Sequence, residues 1–251
     1  MSKILITGAA GKIGRNLSRS LKANTEHVFR LADLNTTELN HLKDVTSDLV
    51  DLNVADLSAC KKACEGVDIV IHLAGDPSPD ADFYHSLLEN NIKGTYNIFR
   101  AAKDNQVSKV IVASSAQVVE GHPLDYQSNS HSPIRPKNMY GVSKSFAEAV
   151  ASYFAYSEGM QAIAIRIAAY DDFKSSKEPM SARDMSAYIS PEDFNHLIIQ
   201  TLNAKHLPPF CILNGVSNNR FKRLSLEETK ELVGYNPQSD AFELCQIELF
   251  D

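Results

Sequence analysis

Cysteine is scarce and unclustered in this sequence. Cys60, Cys64, Cys211 and Cys245 form no C-x-x-C pair and have no zinc-like spacing with histidine. That excludes a disulfide framework and a cysteine-based metal centre, and no metal is expected. Cys60 and Cys64 lie four apart in a helical stretch and share one face, where packed thiols are the default. Long apolar runs are also missing. The run near the start is only KILITG, far short of the roughly 20 residues that cross a bilayer, so no membrane partner is expected. No long basic run occurs, and 31 acidic against 25 basic residues give a net charge of −6. Non-specific nucleic-acid binding is therefore not expected. Free thiols, no leader pattern and no spanning segment together predict a cytoplasmic protein.

What is present is an ordinary globular composition, 43% hydrophobic and 22% charged over 251 residues. That length suits one large domain with an ample core. The apolar segments are short and β-branched, at 4–7, 27–32, 69–73, 109–113, 161–167 and 210–213. Helical patterns fall between them at 11–22, 57–64, 91–105 and 140–157. Continuous rather than alternating hydrophobic strands are covered on both faces, and alternation with helices predicts a parallel sheet. The predicted fold is α/β, a Rossmann-type doubly wound sheet in a single domain over 1–251. Residues 1–168 mainly form the nucleotide-binding core. Residues 169–251 supply a substrate-side loop, the last strand and C-terminal helices.

Two stretches read as loops, 120–138 and 170–190. Ser190 and Pro191 then start a helix as N-cap and first helical residue. Ser225-Leu-Glu-Glu228 reads as the capping box of a last helix ending near Gly234.

Gly8-Ala9-Ala10-Gly11-Lys12-Ile13-Gly14 lies directly between a strand and a helix. Glycines there allow a tight turn and close backbone approach to a pyrophosphate, which the helix N-terminus attracts. Asp33 ends the second strand nineteen residues after the third glycine. A carboxylate there binds the adenosine ribose hydroxyls and repels a 2′-phosphate, which predicts NAD rather than NADP.

Tyr140 and Lys144 sit one helical turn apart and can share a site. Free tyrosine, with a pKa of about 10, is a poor base at neutral pH, and a neighbouring ammonium is expected to lower that value. Tyr170 and Lys174 show the same spacing, but in a polar loop with nothing to hold a helix face. Ser115 ends the strand at 109–113, where C-terminal strand ends face the ligand crevice. Singly, Ser115 is a loop serine and Tyr140 a surface or core tyrosine. In this order after a nucleotide turn, they read as an acid/base site.

These residues resemble the extended short-chain dehydrogenase/reductases, the NAD-dependent epimerase/dehydratase family. The likeness rests on Gly8-x-x-Gly11-x-x-Gly14, His72-Leu-Ala-Gly75, Asn91, Ala113-Ser-Ser-Ala116 and Tyr140-x-x-x-Lys144. It implies a catalytic set of Ser115, Tyr140 and Lys144. It also implies an adenine contact at Asp51 and Leu52, and cofactor contacts at Leu73, Ala74, Gly75, Asn91, Ala113 and Ile167. Those join Gly8, Ala10, Gly11, Lys12, Ile13, Gly14 and Asp33. His72 alone would be a core histidine; in the family this strand end packs beside the cofactor.

Within the family the sequence is most similar to uronate dehydrogenases and related sugar dehydrogenases, through Arg30–Leu34, Arg135–Lys144, Arg166-Ile167 and Arg183–Phe194. Such enzymes oxidise the anomeric hydroxyl of a sugar, sugar acid or sugar phosphate to a lactone. Arg183 matches a substrate-contacting position, and its fork suits a carboxylate or phosphate; a solvent-exposed loop arginine is the plain alternative. The implied substrate contacts are Ser78, Ser115, Ala116, Gln117, Ala169 and Arg183. Uronate enzymes carry Ser-Asn-His where this chain has Ser115-Ala116-Gln117, a serine in place of Ala169, and a serine where Asp76-Pro77-Ser78 follows Gly75. Replacing that many polar groups predicts a different substrate preference.

Two other functions fit the same fold. A nucleotide-sugar epimerase or dehydratase would share the Tyr–Lys pair, but those enzymes usually carry a larger C-terminal lobe. A non-catalytic NAD-binding sensor would not need the catalytic set. Phe146, Tyr153, Phe154 and Tyr156 extend beyond one helical stripe. By resemblance they predict a homodimer or higher homo-oligomer; the alternative is packing on the sheet.

Overall fold

The computed structural model describes residues 1–172 and 180–247. Its centre is a seven-stranded, wholly parallel sheet built from β1 (Lys3–Thr7), β2 (Val28–Asp33), β3 (Ser47–Asp51), β4 (Ile69–His72), β5 (Lys109–Ser115), β6 (Gln161–Ile167) and, from the C-terminal third, Phe210–Gly215. A two-stranded parallel pair, β7 (Ala169–Tyr170) and β8 (Tyr188–Ile189), lies beside it. The strand Phe210–Gly215 is β9, and the sheet order is β3-β2-β1-β4-β5-β6-β9.

Helices close both faces: α1 (Lys12–Asn24), α2 (Leu57–Cys64), α3 (Gly94–Asp104), α4 (Met139–Tyr156), α5 (Ala182–Ser186), α6 (Pro191–Asn203), α7 (Glu227–Val233) and α8 (Ala241–Leu244). Strand alternation divides the core between them. Ile4 and Ile6 of β1 pack with Leu17 of α1 and Phe194 of α6. Leu5 points the other way, toward Cys60, Phe99 and Phe154 of α2, α3 and α4. An apolar residue is thus needed at every position, which is why the central strands read as unbroken hydrophobic runs. The order reverses between β1 and β4, and such a switch opens a crevice at the C-terminal strand ends.

Several elements differ from the sequence reading. β3 went unseen because it is an edge strand with a polar sequence, SDLVD, and only one buried residue. The helix expected from 91 begins earlier, as a π-helical segment Phe83–Lys93 that runs into α3. Asp82 caps it, accepting from the His85 amide at 2.8 Å. The 170–190 connection is not a plain loop, since it carries α5 and β8; Lys174 and Lys177 lie outside the described residues. The Ser225 capping box does not form. Leu226 takes the cap position, and Glu228 turns to the Ser130 hydroxyl instead of reaching back. By contrast, Ser190 caps α6, accepting from the Asp193 amide at 3.1 Å, and Gly234 ends α7 at φ +69°. Phe154 packs on Phe99 inside the core, whereas Tyr153 and Tyr156 are exposed. Burial raises the thiols of Cys60, Cys64 and Cys211 to about 12, leaving them inert packing groups.

Candidate active site

A cavity of about 780 Å³ fills the crevice at the β1/β4 switch. One wall is the turn between β1 and α1. Gly8 holds φ +73°, and a Cβ there would lie 2.6 Å from the Ala74 amide nitrogen. A Cβ on Gly14 would lie 2.1 Å from the Gly8 carbonyl oxygen. Neither position admits a side chain, so the backbone approaches the cavity closely. Ala10, Gly11, Lys12 and Ile13 line it beside them, with the start of α1 facing in. The first amides of that helix have no intrahelical acceptor and suit a phosphate.

Asp33, at the end of β2, also lines the cavity. Its Oδ2 accepts from the Ala10 amide at 2.8 Å and its Oδ1 from the Leu34 amide at 2.8 Å. These bonds fix the carboxylate where a ribose diol would meet it. Leu34, Leu52 and Val54 supply an apolar end for a flat base. Asp51 does not reach the cavity. Its exposed carboxylate accepts from the Thr36 amide and hydroxyl at 3.0 and 2.7 Å, whereas Leu52 lines the cavity.

The opposite wall is formed by β4, β5 and α4. Leu73, Ala74, Gly75, Ala113 and Ile167 line it as expected. Asn91 does not; it sits behind the wall. Its amide group donates to the Asp76 carbonyl at 3.0 Å and to Ser143 Oγ at 3.1 Å, while its Oδ1 accepts from the Asp76 amide at 2.7 Å. It ties the turn after β4 to α4. His72 is buried below, bonded through Nδ1 to Thr7 Oγ1 at 2.7 Å. Burial, with Lys144 nearby, lowers its pKa to about 3, so it stays neutral.

Tyr140 occupies the first turn of α4, which Asn138 caps by accepting from the Gly141 amide at 2.8 Å. Lys144 lies one turn on, its ammonium 5.6 Å from the Tyr140 ring centroid and donating to the Ala113 carbonyl at 2.9 Å. Ser115, at the end of β5, lies beside the Tyr140 hydroxyl and favours its ionised form, while its own Oγ accepts from the Gln117 amide at 3.2 Å. All three are nearly buried and line the same cavity. The tyrosine pKa is not lowered as the pairing alone suggests. Burial raises it, the neighbouring Ser115 hydroxyl partly opposes that, and Asp76 adds to it. Burial likewise lowers Lys144 to about 8. Desolvation dominates both groups, so the resting phenol is protonated.

The Lys144 charge therefore costs stability. Its folded pKa lies below its ordinary value, so its contribution is most unfavourable below pH 8 and disappears as pH approaches that of free lysine. Lys144→Met is expected to abolish turnover yet raise Tm at pH 7. The gain should shrink at pH 10, as read by scanning calorimetry; a lower Tm at pH 7 would contradict it.

On the substrate side Ala116, Gln117, Ala169 and Arg183 line the cavity, but Ser78 is exposed and outside it. Ser78 instead donates its amide to Asp76 Oδ1 at 2.9 Å. Sequence reasoning missed Asp76, Asn90 and Tyr170, which do line the cavity. The buried Tyr170 hydroxyl has no partner among the described residues. Nothing in a loop aspartate, a helical asparagine or a strand-end tyrosine marks them as cavity residues before the fold is known. Lys12 is also tied across the mouth, pairing with Asp171 at 2.6 Å.

A dinucleotide-shaped crevice with a Ser–Tyr–Lys cluster defines a class, and the comparisons agree. Residues 4–170 match the NAD dependent epimerase/dehydratase family, and the chain belongs to that family. It is 32% identical to L-arabinose 1-dehydrogenase (NAD(P)(+)) of Haloferax volcanii, over 96% of this chain and 98% of that one. It is also 32% identical to uronate dehydrogenase of Pseudomonas syringae pv. tomato, over 87% of this chain and 76% of that one. Among solved structures, a mutant uronate dehydrogenase from Agrobacterium tumefaciens complexed with NAD superposes with a TM-score of 0.86 at 28% identity. That match covers 98% of this chain and 88% of the other. The family's cofactor, NAD, suits the side-chain-free glycine wall and the fixed Asp33 carboxylate.

Proposed function

We propose that this chain is a NAD-dependent dehydrogenase that oxidises the anomeric hydroxyl of a sugar, sugar acid or sugar phosphate to a lactone. The observation that carries this reading is the meeting of Ser115, Tyr140 and Lys144 in the cavity that holds the glycine turn and Asp33 at its other end. Bound NAD would supply the hydride acceptor. Ser115 holds the reacting oxygen by hydrogen bond. Tyr140 takes its proton as general base, or returns it as general acid in the reverse direction. Lys144 orients the cofactor ribose and supplies positive charge beside the phenol. Gly8, Gly11 and Gly14 admit the pyrophosphate, and Asp33 takes the adenosine ribose.

The protein acts as a cytoplasmic enzyme in a single domain. Four free thiols support that location, and among the described residues no helix is long and apolar enough to cross a membrane. It assembles as a homodimer or higher homo-oligomer, a reading supported by exposed Tyr96, Tyr153 and Tyr156 on α3 and α4. The test is NADH formation, followed by absorbance, with NAD and a panel of aldoses, uronic acids and aldose phosphates. Turnover on at least one sugar is expected. Silence across the panel with NAD still bound would overturn the reading in favour of a sensor or an epimerase.

A further inference from the structure

Arg183 is the cavity group that an anionic sugar would seek, and its guanidinium is already occupied. Nε donates to Glu120 Oε1 at 3.0 Å, and Nη2 pairs with Glu120 Oε2 at 2.8 Å. Nη1 donates to Asp184 Oδ1 at 2.9 Å. Every nitrogen of the fork thus faces a carboxylate of this chain. Glu120 is not free to move aside. It is 6% exposed and sits over Arg223, whose Nε lies 3.8 Å from Oε2. Arg223 is itself pinned by the carbonyls of His122, Pro123 and Tyr126 at 2.8, 2.6 and 2.9 Å. Two arginines and two carboxylates leave this corner electrically neutral.

The other cations lining the cavity offer an anion no better site. Lys12 is paired with Asp171. Lys144 lies against Tyr140 and Ala113, beside the reacting oxygen rather than at the far end of a sugar. The remaining polar groups suit hydroxyls. Asp76 carries an acceptor carboxylate, braced by Ser86 Oγ at 2.5 Å. Gln117 accepts from Asn138 at 3.1 Å through Oε1, which turns its amide group to donation. Asn90 adds a further carboxamide.

We infer that this site takes an uncharged sugar and discriminates against uronic acids and sugar phosphates, with Glu120 the specificity-determining residue that neutralises Arg183. The inference rests on the dehydrogenase reading and narrows it. A substrate carboxylate brought to Arg183 would have to displace a held carboxylate and face Asp76 as well. Such like-charge contacts are unfavourable, the more so beside the buried Glu120 carboxylate. A sugar hydroxyl meets no such barrier. Glu120 acts through Arg183 and does not itself line the cavity.

The experiment is steady-state kinetics with NAD on neutral aldopentoses and aldohexoses, the matching uronic acids and the aldose phosphates. The intact enzyme, Glu120→Gln and Asp184→Asn are compared, with NAD binding followed by fluorescence. The intact enzyme is expected to favour neutral aldoses in kcat/KM by about 100-fold or more. Glu120→Gln is expected to shift the anionic-to-neutral ratio upward by about tenfold or more, mainly through KM. A purely structural role would change both substrate classes alike. If that variant does not fold, Asp184→Asn, at a half-exposed carboxylate, is expected to move the ratio the same way by a smaller factor. Equal or better turnover of uronates or phosphates by the intact enzyme would overturn the inference and leave the dehydrogenase standing. An unmoved ratio in the folded variants would overturn the role of Glu120. No turnover on any sugar would overturn the dehydrogenase and the inference together.

Discussion

Tyr140→Phe is expected to lower kcat for sugar oxidation by about 10³-fold, within the range that a positioned acid/base commonly contributes. The substitution removes one oxygen from a nearly buried side chain and keeps the ring against which Lys144 lies. The structural loss is only the hydroxyl beside Ser115, a modest one in a cavity open to water. NAD affinity and Tm should therefore change little while turnover collapses. In the intact enzyme, kcat/KM for oxidation is expected to rise with pH through the neutral range and to level off above about pH 8, where Lys144 loses its charge. Burial raises the Tyr140 pKa, so the base form grows with pH. The variant's residual rate should lose that rise. Fluorescence titration with NAD, thermal unfolding and a pH–rate profile read the three effects separately. A variant that retains a tenth of the activity would remove Tyr140 from the acid/base role.

The nucleotide-binding half was readable in the sequence because its requirements are local. A strand, a glycine turn and a helix are contiguous residues, and Gly8 and Gly14 occupy positions where a Cβ would strike backbone. Tyr140 and Lys144 are related by helix geometry alone, and Ser115 by the rule that strand ends face the crevice. The substrate side was not readable, because its contacts cross the chain. Arg183 was singled out for its fork, but its partner Glu120 lies 63 residues away in a turn, and no periodicity connects them. Asp51 and Ser78 do not line the cavity. Asp51, at the end of β3, accepts from Thr36 fifteen residues away, and Ser78 lies exposed in a turn where its amide donates to Asp76; neither placement shows in the sequence. Desolvation was invisible as well. The sequence shows an ammonium one turn from a phenol, and only the burial of both reveals that the phenol pKa rises.

Glu148→Ala is expected to be the most destabilising single change considered. Arg166 lies in β6 with 1% of its side chain exposed, and Glu148 of α4 meets it with 5% exposed. Glu148 accepts from Arg166 Nε and Nη2 at 2.8 and 2.9 Å and from Ser114 Oγ at 2.6 Å. The remaining Arg166 nitrogen donates to the Asn129 carbonyl at 3.1 Å. Removing the carboxylate leaves a guanidinium buried without its counter-charge, which costs about 3–5 kcal/mol. For a chain of this size that corresponds to a fall in Tm of roughly 6–20 °C. The double variant Glu148→Leu with Arg166→Met replaces the pair with apolar groups and is expected to recover most of the loss, because the desolvation of two charges is removed as well. Activity should not recover with it. Glu148 stands one turn beyond Lys144, and Ser114 immediately precedes Ser115, so the ion pair fixes α4 against the ends of β5 and β6. That contact sets the register of the phenol and ammonium over the serine. An apolar pair restores packing without that directional hold, so kcat should stay depressed while Tm returns. A double variant regaining both would reduce the ion pair to a stabilising contact. A Glu148→Ala protein within about 3 °C of the parent would mean that the Arg166 charge finds another partner.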